Sequence, residues 1–113
     1  IDFAGWITEE INKAKLYLLK KKLDINIIVE ARNLEEIREI ISNKGIHRII
    51  IDNFNYKDTK EAVKLIGETC LTESSGGINQ KTIRNYAECG VDFISSGALT
   101  HSVSNLDLSL KAI

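Results

Sequence analysis

Two carboxylates and two glycine loops hold most of the chemistry this sequence offers. Glu30 closes the β-branched run Ile25 to Val29, and Asp52 closes the run Arg48 to Ile51. A carboxylate at the end of an apolar strand lies against apolar walls, so it must meet a cation, a hydrogen-bond donor or water. Two such groups on adjacent strands can hold Mg2+, accept hydrogen bonds from sugar hydroxyls, or act as a proton-transfer pair. The alternative is a pair of strand-end acids that cap the next helix or bind a lysine. Ser75, Gly76 and Gly77 form one loop, within "TESSGGINQKT", and Ser96, Gly97 and Ala98 form the other. Each lies between a strand end and a helix start. Glycine lets backbone N–H groups face a ligand, and the following helix favours an anion. Two such loops on consecutive strands suit a phosphate, whereas either one alone also reads as a turn needing positive φ.

Lesser candidates surround these groups. Asn53 and Phe54 follow Asp52 and are placed to orient it, and Arg32 is within reach of Glu30 as a surface partner. His101, in "GALTHSV", would contact a phosphate or acid, or else cap the tail. Trp6 is a rim contact or simple packing, and His47 a loop residue. The basic run Lys20 to Lys22 suits the negative end of a helix better than a binding patch.

The elements that must position these groups alternate. Residues 1 to 5 read as the end of a strand, and Thr8 caps a helix with Ile11, Ala14, Leu18 and Leu19 at helical spacing. Asn33 caps a second helix, Leu34 to Asn43, which Gly45 ends. A third covers about Thr59 to Ile66, and Asn79 caps a fourth that Gly90 ends. Strands are expected at Ile25 to Val29, Arg48 to Ile51, Cys70 to Thr72 and Val91 to Ile94. The tail, Leu106 to Ile113, reads as a last short helix. The strands look like continuous apolar runs, as in parallel sheets covered on both faces.

The strand-end polar residues Glu30, Asp52, Ser74 and Ser96 recur every 22 residues. Right-handed crossovers return each strand in the same direction, so all four are expected at one carboxyl rim. In (β/α) barrels that rim carries the active site. The expected fold is therefore α/β, a partial (β/α) barrel of about five βα units. An open doubly wound sheet is the alternative, but the even repeat and the lack of a GxGxxG disfavour it.

Composition sets the outer bounds. The chain has 113 residues, a formal net charge of −1, two cysteines and no proline. No basic excess points to nucleic acid or an anionic membrane, and no apolar run is long enough to span a bilayer. Cys70 and Cys89 lack metal-ligand spacing and read as reduced thiols of a cytoplasmic protein. No leader is visible, and a chain that starts at Ile1 is expected to have lost an upstream segment.

Taken in order, "IIIDNF", "ESSGG", "YAECGVDFISSGALTHSV" and "LDLSLK" resemble the carboxyl-terminal part of the quinolinate phosphoribosyltransferases. The resemblance covers essentially the whole chain. It implies transfer of phosphoribosyl from phosphoribosyl pyrophosphate to quinolinate with Mg2+, release of pyrophosphate and CO2, and nicotinate mononucleotide as product in NAD biosynthesis. It implies an incomplete α/β barrel behind an α+β domain, and a dimer with shared active sites. On this chain the family's two acids fall on Glu30 and Asp52, which would contact the ribose and metal. The 5′-phosphate would lie at Ser75, Gly76 and Gly77 and at Ser96, Gly97 and Ala98. The chain departs from the family pattern at Ile28 and Trp6. The basic quinolinate pocket, the amino-terminal domain and the first barrel strands would precede Ile1, so residues 1–113 alone are expected to be inactive. Two other readings stand beside this one: a different phosphosugar barrel, such as an isomerase using Glu30 or Asp52 as base, and a non-catalytic scaffold that assembles with a partner.

Overall fold

A computed structural model of the protein describes residues 5–95 and 108–111. Helix α1 (Trp6–Lys21) precedes β1 (Ile27–Ala31), α2 (Leu34–Ile41), β2 (Arg48–Asp52), α3 (Tyr56–Ile66), β3 (Leu71–Ser75), α4 (Ile83–Glu88), β4 (Phe93–Ile94) and β5 (Leu108–Lys111). The five strands form one sheet in the order β4-β3-β2-β1-β5, and every pairing is parallel. From β1 to β4 spatial order follows chain order without a switch point. That is the winding of a barrel arc rather than of a doubly wound sheet.

The core lies between one face of the sheet and helices α1, α2 and α3. Ile7, Ile11, Ala14 and Leu18 line the inner stripe of α1, and Ile37 and Ile40 that of α2. Ala62 and Ile66 come from α3, and Ile27, Val29, Ala31, Ile49 and Ile51 from the sheet. Ile11, Ile37, Ile40 and Ile49 are fully buried, and each such side chain contributes about 1.5–3 kcal/mol. The strands were expected to be covered on both faces, but β2 alternates between half-buried Arg48, Ile50 and Asp52 and buried Ile49 and Ile51. The helix side is the better packed, because α1, α2 and α3 lie on that side and leave the other face more open.

Helix starts follow local hydrogen bonding. Asn33 caps α2 by accepting from the Glu36 N–H at 2.8 Å, and Asn55 caps α3 through the Asp58 N–H at 2.7 Å. The third helix therefore begins before Thr59. Helix α1 begins at Trp6, ahead of the expected cap Thr8. The Thr8 N–H instead meets the Glu39 carboxylate of α2 at 2.8 Å. Asn79 does not cap α4 directly. Its side chain accepts from the N–H groups of Lys81 (2.8 Å) and Thr82 (3.2 Å), so the helix starts after that turn, at Ile83.

The tail corrects a further expectation. Residues 108–111 form β5, not a helix, and pair with β1 so that Val29 lies opposite Leu110 and Glu30 opposite Lys111. Leu106, Leu108 and Leu110 alternate with polar residues at a period of two, which is strand spacing. The outer edge of β1 supplies unpaired backbone groups for such a segment to complete. Of the expected first strand, residues 1 to 5, residues 1–4 lie outside the described residues, and Gly5 is a left-handed turn residue at the start of α1.

Candidate active site on the open face of the sheet

Rung partners in a parallel sheet share a face, so the register states which side chains can meet. Ile28, Arg48 and Leu71 form one rung of the open face. Glu30, Ile50, Glu73 and Phe93 form the next. Asp52 and Ser75 form the uppermost, at the carboxyl rim. Glu30 and Asp52 therefore share a face on adjacent strands, with Asp52 two residues nearer the rim.

Ser74 does not share that face. It stands opposite Ile51 and Ile94, whose rung points toward the helices. It is 1% exposed, and its hydroxyl has no partner among the described residues. The 22-residue recurrence thus holds for the strand ends but not for side-chain direction. The reason is register: β1 to β2 matches residues 20 apart, as in Glu30 with Ile50, whereas β2 to β3 matches residues 23 apart, as in Asp52 with Ser75. An odd step moves a side chain to the other face.

At the rim, the β2 end and the first glycine loop are pressed together. The Asn53 N–H donates to the Ser75 carbonyl at 2.8 Å. Gly76 has φ +88°, and a Cβ there would lie 3.0 Å from both the Asn53 nitrogen and Asp52 Oδ1. The loop therefore passes directly against the Asp52 carboxylate, which only a residue without a side chain allows. Gly77, at φ +60°, approaches the Asn53 side chain more loosely, at 3.9 Å. Asn53 itself adopts φ +60°, a conformation that asparagine tolerates better than most residues. Beside this turn a rim cavity of about 440 Å³ opens between the starts of α2 and α3, lined by Arg32, Asn33, Asn53, Phe54, Asn55 and Asp58. Arg32 is held there by Glu36, at 3.2 Å.

Ser96, Gly97, Ala98 and His101 lie outside the described residues. His47 sits at the start of β2, where its N–H donates to the Ile27 carbonyl at 2.9 Å. Among the described residues, no group of three or more His, Cys, Asp and Glu side chains is gathered as a metal cluster. The donor set that does share the open face, the carboxylates of Glu30 and Asp52, is of the kind that holds Mg2+. That ion takes one or two carboxylates and completes its shell with water and substrate oxygens.

The structure adds residues that the sequence reading passed over. Glu73 is 8% exposed, and its Oε1 accepts from Arg48 Nη1 at 2.7 Å. Its Oε2 accepts from the Ser95 hydroxyl. The Arg48 guanidinium lies 4.2 Å from the centre of the Phe93 ring. The sequence carries no local signal for this group, because Arg48 and Glu73 lie 25 residues apart and only the register of β2 with β3 puts them on one face.

Comparison with known proteins agrees with this architecture. Residues 1–111 match the family model described as "Quinolinate phosphoribosyl transferase, C-terminal domain". The chain belongs to the quinolinate phosphoribosyl transferase family. It is 38% identical, over 98% of its length, to the Arabidopsis thaliana chloroplastic nicotinate-nucleotide pyrophosphorylase [carboxylating], of which it spans 36%. It is 38% identical to a probable enzyme of the same name from Methanocaldococcus jannaschii, with 95% of this chain and 39% of that protein aligned. The solved nicotinate-nucleotide pyrophosphorylase of Francisella tularensis superimposes with a TM-score of 0.67 at 33% identity, over 83% of this chain and 33% of that one. NadC from Streptococcus pyogenes gives 0.71 at 30% identity, over 88% and 33%. The chain thus spans about a third of the length of these relatives and is a partial barrel of the transferase family.

Proposed function

We propose that this chain is the carboxyl-terminal portion of a carboxylating nicotinate-nucleotide pyrophosphorylase. The whole protein would transfer phosphoribosyl from phosphoribosyl pyrophosphate to quinolinate. The bond from the sugar C1 to pyrophosphate breaks, a bond from C1 to the pyridine nitrogen forms, and the carboxylate beside that nitrogen leaves as CO2 while a proton from solvent takes its place on the ring carbon, giving nicotinate mononucleotide for NAD biosynthesis. What carries this reading is the placement of Glu30 and Asp52 on one face of adjacent strands, with Asp52 against Gly76, in a chain of this family.

In this proposal Glu30 and Asp52 face the ribose and oppose the positive charge that grows on the sugar as pyrophosphate departs. The same two carboxylates would hold Mg2+, which when bound supplies charge neutralisation to the leaving pyrophosphate. The loops Ser75, Gly76, Gly77 and Ser96, Gly97, Ala98 would hold the 5′-phosphate through backbone N–H groups and so fix the sugar in line for attack. The quinolinate pocket and the remaining barrel strands would come from sequence outside residues 1–113, so the isolated chain would not turn over. A homodimer or higher oligomer in the cytoplasm belongs to the same reading. The free thiols of Cys70 and Cys89 support the cytoplasmic part of that reading; among the described residues, no helix is long and apolar enough to cross a membrane. Tobacco and Arabidopsis relatives carry mitochondrial and chloroplastic names.

The test is calorimetric titration of the full-length protein with phosphoribosyl pyrophosphate, with and without Mg2+. Asp52→Ala is expected to weaken the Mg2+-dependent part of binding by about tenfold or more, the loss typical of one charged contact. Unchanged affinity, or no pyrophosphate release with quinolinate, would remove the assignment.

A further inference from the structure

We propose that Arg48 is a positioning residue that cancels and locks the charge of Glu73, keeping the floor of the open face receptive to a polyanionic phosphate ligand. This rests on the phosphoribosyltransferase reading above and adds a role for side chains lying beneath the strand ends.

The geometry is that of an occupied carboxylate. Both Glu73 oxygens are engaged, one by Arg48 Nη1 at 2.7 Å and the other by the Ser95 hydroxyl. The partners are 17% and 11% exposed at the side chain, so solvent screens the pair weakly. Arg48 is fixed from a second side by the Phe93 ring, 4.2 Å away. It therefore points its charge at Glu73 and the ring, not at the rim.

The charge around this pair explains why it is needed. Glu73 shares a rung with Ile50 and Glu30, and Asp52 stands one same-face step above them. Without the guanidinium, three neighbouring strands would present three carboxylates to one face. Lys111 has the register position beside Glu30, on the far side from Glu73. Arg48 is the one cation among residues with described side chains on the β1–β4 part of that face. A ligand carrying a phosphate and a pyrophosphate would meet repulsion from an uncompensated Glu73 there. Stability alone does not account for the pair. Apolar residues of like volume hold such positions equally well, and Arg48 Nε has no hydrogen-bond partner among the described residues.

The experiment uses the full-length protein and four variants: Arg48→Met, Arg48→Lys, Glu73→Gln, and Arg48→Met with Glu73→Gln. KM and kcat are measured against phosphoribosyl pyrophosphate at fixed Mg2+, and inorganic pyrophosphate binding is titrated in parallel. Arg48→Met is expected to raise KM and the pyrophosphate Kd by about tenfold, with kcat changed by less than about threefold. The double variant, which removes both charges, returns both constants to within about threefold of the parent. Arg48→Lys keeps the charge and decides the matter if the methionine variant does not fold: it retains the parent Kd. A folded Arg48→Met with parental constants overturns the proposal, as does a folded double variant as impaired as the single one, or a lysine variant with tenfold weaker binding. A parent that binds pyrophosphate but does not turn over removes the transferase reading and leaves the binding comparison to decide the role of Arg48. A parent that does neither overturns both.

Discussion

Replacing Gly76 with alanine should be far more damaging than the same change one residue later. At φ +88° a side chain is strained whatever surrounds it, which costs about 1–2 kcal/mol. The new methyl would also lie 3.0 Å from the Asn53 nitrogen and from Asp52 Oδ1, and 3.2 Å from the Asn53 Cα. Two of those three atoms are backbone, and the Asn53 N–H is already committed to the Ser75 carbonyl at 2.8 Å. Relief therefore requires the β2 end and the loop to move apart, an overpacking cost of about 1–3 kcal/mol. The total for Gly76→Ala is about 2–5 kcal/mol. Gly77→Ala is the control. Its φ of +60° is also left-handed, but the nearest atom to a Cβ is Asn53 Oδ1 at an ordinary 3.9 Å, so the strain of about 1–2 kcal/mol stands alone. Urea unfolding of the two variants, followed by circular dichroism, reads the difference directly. Equal destabilisation would refute the claim that Gly76 is required by its approach to Asp52 and Asn53.

Three further outcomes test the frame around the site. The Cys70 thiol is pushed up to about 11, by burial first and by the Asp92 carboxylate second, so iodoacetamide at pH 8 should label it at least tenfold more slowly than an unfolded control. The folded thiol holds its proton more tightly than the unfolded one. Its contribution to stability is therefore full below about pH 9 and falls as pH rises toward 11; urea midpoints across that window should decline less in Cys70→Ala. Leu110→Pro removes a donor from the β5 ladder opposite Val29 and should cut amide protection in β1 by about tenfold or more by hydrogen exchange. Unchanged β1 protection would mean that its edge does not depend on the tail.

Local patterns in the chain specify most of the elements and the order in which they pack. The stripe Ile11, Ala14 and Leu18, the cap Asn33, and the run ending in Asp52 each state their own conformation, because helix spacing, side-chain capping and β-branching act over a few residues. The motifs from "IIIDNF" to "LDLSLK" also sufficed to place the chain in its family. The same local logic failed at Leu106 to Ile113. There a period-two pattern was read as a helix, and only the unpaired edge of β1 makes a strand the better solution.

The face on which each polar residue stands was decided by tertiary structure. Equal spacing put Glu30, Asp52 and Ser74 in one series, but an odd step in register between β2 and β3 turns Ser74 toward the helices and brings Ser75 beside Asp52. The ion pair of Arg48 with Glu73, residues 25 apart, depends on the same register and has no local signature. Sequence establishes which groups are available and roughly which strand holds them. Pairing between strands sets which of them meet, because a slip of one residue exchanges every side chain between the packed face and the open one.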